Sequence, residues 1–270
     1  MTEHVPSLPT PLLWQGHDIV QGLRRWPLWT MLAWNDIRQR YRRSVLGPLW
    51  ITLSMSVLIT ALGFIYSRIF NIEIATYLPY LALGFIVWGF IATTTTEACG
   101  AFYENERIIR QIKLPTSLFV MRTTWRNVIV FFHTAVLFIP ISLIFGLWPK
   151  PVMVLVMPGL LLLLVNQIWF GIVVAVLSTR FRDVPLLIAT ALQIATFATP
   201  IMWPVSALGD QTYIAELNPL YHLIEIVRAP LLGQYPPTNS WIVTTLMAIF
   251  GMMAAGWLVN RAARRVVFWL

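Results

Sequence analysis

The chain is 270 residues long, 58% hydrophobic and only 11% charged, with a mean hydropathy of +0.71; a soluble domain averages about a quarter charged residues, so a soluble fold is excluded and a polytopic membrane protein remains. A net charge of +8 could serve nucleic acid, but nearly all of it lies beside apolar runs, and no nucleic-acid partner is expected. A single cysteine, Cys99, leaves no intrachain disulfide and no cysteine-based metal site.

Residues 1–25 are Pro-rich and weakly patterned, and read as a mostly loose cytoplasmic tail. The first apolar run starts only near residue 49, behind a polar and basic stretch rather than a short basic leader, so no cleavable signal peptide is expected. A helix starts at Trp26-Pro27, proline being tolerated in a first turn, and extends to about 46. At 100° per residue, Trp26, Trp29, Ala33, Trp34, Ile37 and Tyr41 share one face; Asp36, Arg38, Gln39, Arg42 and Arg43 share the other. Arg40 falls on the apolar arc, where its stem can snorkel to headgroups. This pattern predicts an amphipathic helix lying on the membrane, ending in a turn at Gly47-Pro48. Thirteen tryptophans suit a chain that meets two lipid–water interfaces.

A span needs about 20 apolar residues. Uncharged windows of that size predict six, near 49–70, 78–98, 119–146, 152–177, 184–204 and 240–260, within a transmembrane domain over 47–265. Six spans put both termini on one side. Sixteen of the nineteen basic residues also fall on one side: Arg24, Arg25, Arg38, Arg40, Arg42, Arg43, Arg107, Arg110, Lys113, Arg122, Arg126, Arg180, Arg182, Arg261, Arg264 and Arg265. By the positive-inside rule that side is cytoplasmic, including a short C-terminus at 266–270. Only Arg68, Lys150 and Arg228 fall outside.

Two connections exceed a minimal turn. Residues 100–115, GAFYENERIIRQIKLP, are charged, helical in propensity and stopped by Pro115. Residues 204–240 contain LYHLIEIVRAPLL behind Asn218-Pro219, a helix that Asn218 caps. About 14 residues at 1.5 Å each give roughly 21 Å, too short to cross, so this segment is expected to be re-entrant or interfacial. Asp183 is expected to cap the fifth span, with Pro185 in its first turn and Arg180 or Arg182 as ion-pair partner. Pro200 and Pro204 are expected to kink its outer end.

The predicted spans hold no central Asp, Glu or Lys. His133 is the one titratable group well inside them, and it reads as a structural hydrogen-bonding group. Ion coupling within the spans is therefore not expected. No phosphate-binding G-x-x-x-x-G-K-[ST] loop, HExxH, GxSxG or Cys/His cluster occurs. The chain reads as a passive conduit with no cofactor and no catalytic residue of its own.

Three segments resemble the ABC-2 type permeases that export polysaccharides: RQRYRRSVLGPLW (38–50), LSTRFRDVPLLIATALQIATFATPIMW (177–203) and LNPLYHLIEIVRAPLLG (217–233). Their order, their spacing and the six spans extend the resemblance over nearly the whole chain. Residues 112–133, IKLPTSLFVMRTTWRNVIVFFH, are most similar to the branch exporting lipopolysaccharide O-antigen, with capsule and teichoic-acid permeases close by. The part before Trp26 resembles nothing we can name. The resemblance implies an all-α half-channel: a homodimer of six-span subunits in the bacterial inner membrane, with two ATP-binding cassette subunits carrying ATP and Mg on the cytoplasmic side. The implied cargo is a polysaccharide on a polyprenyl-pyrophosphate lipid.

On this resemblance, residues 100–115 form a coupling helix, with Glu104, Glu106, Arg107 and Arg110 for ion pairs and Ile108 and Ile109 as anchors. Arg122 and Arg126, one helical turn apart, would meet the pyrophosphate with Arg40, Arg42 and Arg43, arginine being suited to bidentate phosphate contacts. Trp50, Phe64, Tyr66, Phe197 and Trp203 would offer rings to the glycan. Pro200, Asn218 and Pro219 would belong to a periplasmic gate. Two other readings stand beside this one. An ATP-independent glycolipid transferase or flippase would need paired carboxylates or a metal site, and Asp183 has no acidic neighbour. An ABC-2 permease for a drug or another lipid would share the fold.

Overall fold

The computed structural model describes residues 18–42, 47 and 49–270, the side chains at 263 and 264 excepted. Every regular element among the described residues is a helix, and they hold no strand. In chain order, α1 is Asp18–Arg24, α2 Trp26–Tyr41, α3 Leu49–Ile69, α4 Ile74–Cys99, α5 Glu106–Gln111, α6 Ser117–Ala135 and α7 Phe138–Ile144. They are followed by α8 Val156–Arg180, α9 Val184–Ala198, α10 Tyr213–Glu216, α11 Pro219–Leu231 and α12 Thr238–Trp269. Short 3-10 turns precede α5, α8 and α10.

Among the described residues, five segments are long and apolar enough to cross a bilayer: Leu49–Ile69, Ile74–Cys99, Ser117–Ile144, Pro151–Arg180 and Thr238–Ala262. The predicted span at 184–204 differs. Its helix, α9, stops at Ala198 and holds 15 residues. That is about 22 Å, short of the ~30 Å hydrocarbon core. The cause is Pro200: it disfavours helical backbone in the residue before it, and Thr199 is extended, with φ −97° and ψ 141°. Proline also divides the third span. Pro140 cannot donate to the carbonyl of Val136 and crowds it, and the helix breaks there between α6 and α7.

The last helix exceeds its prediction. α12 runs unbroken for 32 residues, so the expected boundary at 265 falls inside it. Val266 is buried, and Trp269 and Leu270 pack on the core around Phe102 and Phe119. The N-terminal segment also differs from the expected loose tail. α1 docks on α6 and α12. Its buried Asp18 accepts hydrogen bonds from the backbone N–H of Thr116 (2.9 Å) and Ser117 (2.8 Å), capping α6 from 98 residues away. Residues 1–17 lie outside the described residues.

α4 is the hub. It contacts α3, α6, α8, α9 and α11, and most of its length is buried. α8 packs against it, and α12 packs along α8. Three apolar clusters follow the bundle from one end to the other. The first, around Phe102, Phe119, Ile172 and Val259, lies at the end that carries Arg122, Arg126 and Arg180. The second centres on Val87, Leu163, Ile224 and Val227. The third, around Tyr77, Leu81 and Phe138, fills the opposite end. By contrast α3 turns most of its side chains outward, among them Trp50, Leu53, Val57, Phe64 and Ile69, and no residue of α9 is buried.

Candidate functional site: a charged platform and a buried helix

At the arginine-rich end, four elements are tied by ion pairs and hydrogen bonds. Arg122 on α6 donates through Nε and Nη2 to the two carboxylate oxygens of Asp36 on α2, at 2.8 and 2.5 Å. This is a bidentate pair, the geometry in which arginine binds carboxylate best. Its Nη1 donates to Asn105 Oδ1 in the turn before α5 (2.9 Å). Arg126 joins Asp36 (3.1 Å) to Glu97 at the end of α4 (2.7 Å). Glu97 also accepts from Arg40 on α2 (2.9 Å) and from Asn127 (2.7 Å). One network thus fastens α2, α4, α6 and the turn leading into α5.

Asp36 therefore does not face water as the helical wheel suggested. It is turned inward beside buried Ala33 and Ile37, where α2 packs on α6. Three of the predicted phosphate-binding arginines, Arg40, Arg122 and Arg126, are brought together, but each already holds a carboxylate. Arg42 lies in the turn after α2; Arg43 is outside the described residues. His133 faces its own helix, its Nδ1 2.7 Å from the carbonyl of Ile129.

The 100–115 segment folds as a 3-10 turn, Tyr103–Asn105, and the short α5. Glu106 and Arg110 pair within α5 (2.8 Å). Ile108 and Ile109 differ from the expectation of outward anchors: both are half-buried against the chain's own core, beside Trp269 and Leu270. The outward apolar groups are Tyr103 and Ile112, which flank exposed Arg107, Arg110 and Lys113. Burial pushes the Glu104 carboxyl up, while Arg126, Arg122 and Arg40 pull it back.

At the other end, α11 is wedged among α4, α8 and α12. Asn218 caps it as predicted, its Oδ1 accepting from the N–H of Leu220 (2.9 Å) with Pro219 in the first turn. The Asn218 amide donates to Thr199 Oγ1 (2.9 Å), tying the start of α11 to the end of α9. Arg228, placed from sequence on the external side of the membrane, is 1% exposed. It donates to Glu225 (2.6 Å) and to the carbonyl of Pro200 (2.7 Å), and its guanidinium lies 3.9 Å from the Tyr80 ring centre. Tyr80 donates to the same Pro200 carbonyl (3.1 Å), and Tyr77 donates to the Met202 carbonyl. Gly84 allows this approach: a Cβ there would stand 3.0 Å from the Ile201 carbonyl oxygen. Pro200 is thus pinned between two helices.

Asp183 sits at the N-cap position of α9 but makes no capping hydrogen bond and no ion pair among the described residues. Arg180 turns instead to the Phe181 and Trp269 rings, at 5.3 and 5.2 Å.

The five candidate glycan aromatics are not gathered in one place. Trp50, Phe64 and Phe197 are each about three-fifths exposed on the outside of the single chain. Trp203 donates to the Phe197 carbonyl (2.9 Å). Tyr66 stacks on Phe70 (5.8 Å), which continues through Tyr77 and Tyr80 as a run of rings ending at Arg228.

The model of the ABC-2 type transporter family matches residues 27–232. The chain belongs to that family. Three curated relatives are each called O-antigen export system permease protein RfbA. One from Klebsiella pneumoniae is 23% identical over 194 residues, covering 70% of this chain and 74% of its own. One from Myxococcus xanthus is 21% identical over 201 residues, covering 73% and 77%. A second Klebsiella pneumoniae protein matches at 23% over 194 residues. This ABC-2 chain is thus a multi-pass permease whose matched region takes in the platform arginines and α11 but neither α1 nor α12.

Residues that sequence reasoning passed over are Glu97, Asp36 as a partner, Glu225, Arg228 and the Tyr77–Tyr80 pair. The signal was present in part: Glu97 and Glu225 are acidic groups inside apolar segments, and such groups are costly unless paired.

Proposed function

We propose that this permease is the transmembrane subunit of an ATP-driven exporter that moves polyprenyl-pyrophosphate-linked polysaccharide, O-antigen, across the inner membrane. It works as a homodimer with two ATP-binding cassette subunits that hold ATP and Mg. The observation that carries this reading is the platform. A charged, solvent-facing α5 is joined through Asn105 and Arg122 to α2, α4 and α6, so a push on α5 reaches the membrane helices directly. The names of the relatives supply the cargo class.

Both termini are cytoplasmic, since the arginine-rich end faces the cytoplasm. α2 lies in the membrane interface. α9 and residues 199–204 together complete a sixth crossing. α11 is re-entrant, its backbone covered by α4, α8 and α12 as non-spanning backbone at membrane depth requires.

Glu104 in the turn before α5 and Arg107 and Arg110 on α5, with Tyr103 and Ile112 beside them, meet the ATPase. Arg40, Arg42 and Arg43 meet the pyrophosphate first, with Arg122 and Arg126 behind them, where phosphate must exchange with Asp36 or Glu97. Exposed Trp50, Phe64 and Phe197, with Tyr66 and Trp203, line the glycan path between two copies. The Pro200–Asn218–Pro219 junction is the periplasmic gate.

The test is reconstitution of the permease with its ATPase subunit in vesicles. The expected results are ATPase activity stimulated by glycan-lipid and ATP-dependent movement of the polymer. A cysteine placed at Arg107 in a Cys99→Ser background should be labelled only from the cytoplasmic side. Labelling from outside, or movement of cargo by the permease alone without nucleotide, overturns the proposal.

A further inference from the structure

A cavity of about 350 Å³ lies between α9, the middle of α4 and α8, and the first turn of α11. Its size falls in the ~300–1,000 Å³ range of small-molecule sites. Leu192 and Ala195 form one wall, and Trp169, Leu220 and Leu223 form others. No charged side chain lines it.

Three buried polar side chains line this apolar space, Thr95, Asn166 and Gln167. Thr95 Oγ1 and Gln167 Oε1 have no hydrogen-bond partner among the described residues. The neighbouring Asn166 shows what satisfaction looks like here. Its amide donates to the Leu162 and Thr244 carbonyls, and its Oδ1 accepts from Trp169 Nε1. A buried acceptor left unpaired is costly, and more so where no water competes.

We propose that this cavity binds a neutral long-chain alcohol, its chain filling the apolar space and its hydroxyl donating to Gln167 Oε1. The chemistry follows from the lining. An uncharged wall at membrane depth rejects ions, and the orphan acceptor selects a donor over a plain hydrocarbon. α9 is held by few neighbours and buries none of its residues, so the ligand can enter beside it. The proposal does not depend on the cargo assigned above.

The experiment uses the full-length permease in lipid nanodiscs with a photoreactive, diazirine-bearing hexadecanol. Saturable labelling is expected within 166–170 and 188–195. Unlabelled hexadecanol should displace the probe about tenfold better than hexadecane, the factor expected for one hydrogen bond. Gln167→Leu should keep the labelling and bring the two competitors to parity. Ala195→Phe should fill the cavity and abolish labelling. If Gln167→Leu fails to purify as a monodisperse protein, Gln167→Met makes the same comparison. Non-saturable labelling spread along α3, equal competition against the unaltered protein, or an alcohol preference that survives Gln167→Leu overturns the proposal.

Discussion

Arg228 is the largest side chain fully buried among the described residues, and its charge is balanced by a single carboxylate, Glu225. Removing one partner of a buried pair strands the other, which costs about 3–5 kcal/mol, whereas replacing both with apolar groups is far milder. Arg228→Leu should therefore lower the melting temperature of the detergent-solubilised permease sharply, and Glu225→Leu/Arg228→Leu should recover much of the loss. A silent single variant would reject the pairing. Glu104 gives a pH dependence of the opposite kind to a salt-bridged acid. Its carboxyl is raised by burial, so the folded chain holds the proton more tightly than the unfolded chain. That contribution is full at low pH and is lost as pH climbs through the raised value. Glu104→Gln should thus be as stable as wild type near pH 4 and more stable near about pH 8, read as melting temperature against pH. Neither effect was legible from sequence. The burial of Arg228 depends on where α11 docks, and no local pattern encodes that.

The elements were legible where a local rule governs them. Asn218-Pro219 predicted the start of α11, and Trp26-Pro27 predicted the start of α2, because caps and first-turn prolines act through their immediate neighbours. Hydropathy found the five long segments for a similar reason. It overran α9, since Pro200 ends a helix without lowering apolarity, and it stopped α12 early, since Arg261 and Arg265 interrupt apolarity without ending a helix. The platform was half legible: its arginines were singled out, but their partners Asp36 and Glu97 come from other helices. The network makes an element-scale prediction. Asp36→Asn removes one partner from two arginines and should cost about 2 kcal/mol or more, with faster proteolysis within 100–115. Arg122→Gln should add little on top of it, because the two changes break the same contact. Full additivity of the two would show that α2 and α6 are not coupled there.

At the scale of the whole molecule, the chain is a bundle with two unlike sides. One is fastened by α4, α8, α11 and α12; the other offers α3 and α9, whose apolar faces are left bare in a single copy. Bare apolar surface of that extent on helices that cross a membrane suits either lipid or a second copy, and the proposed homodimer places the second copy there. The fastened side runs the length of the bundle: α12 reaches from the neighbourhood of His222 and Asn166 down to α5.

The docking of Asp18 also bears on how the protein should be handled in the laboratory. A shortened version starting at Trp26 would retain all that the family match covers and would look, from hydropathy, like a harmless trimming of a tail. It would nevertheless strip the first turn of α6 of the oxygens that Thr116 and Ser117 donate to and expose the small-residue contact at Gly22. Such a version should express poorly or elute as aggregate on size exclusion.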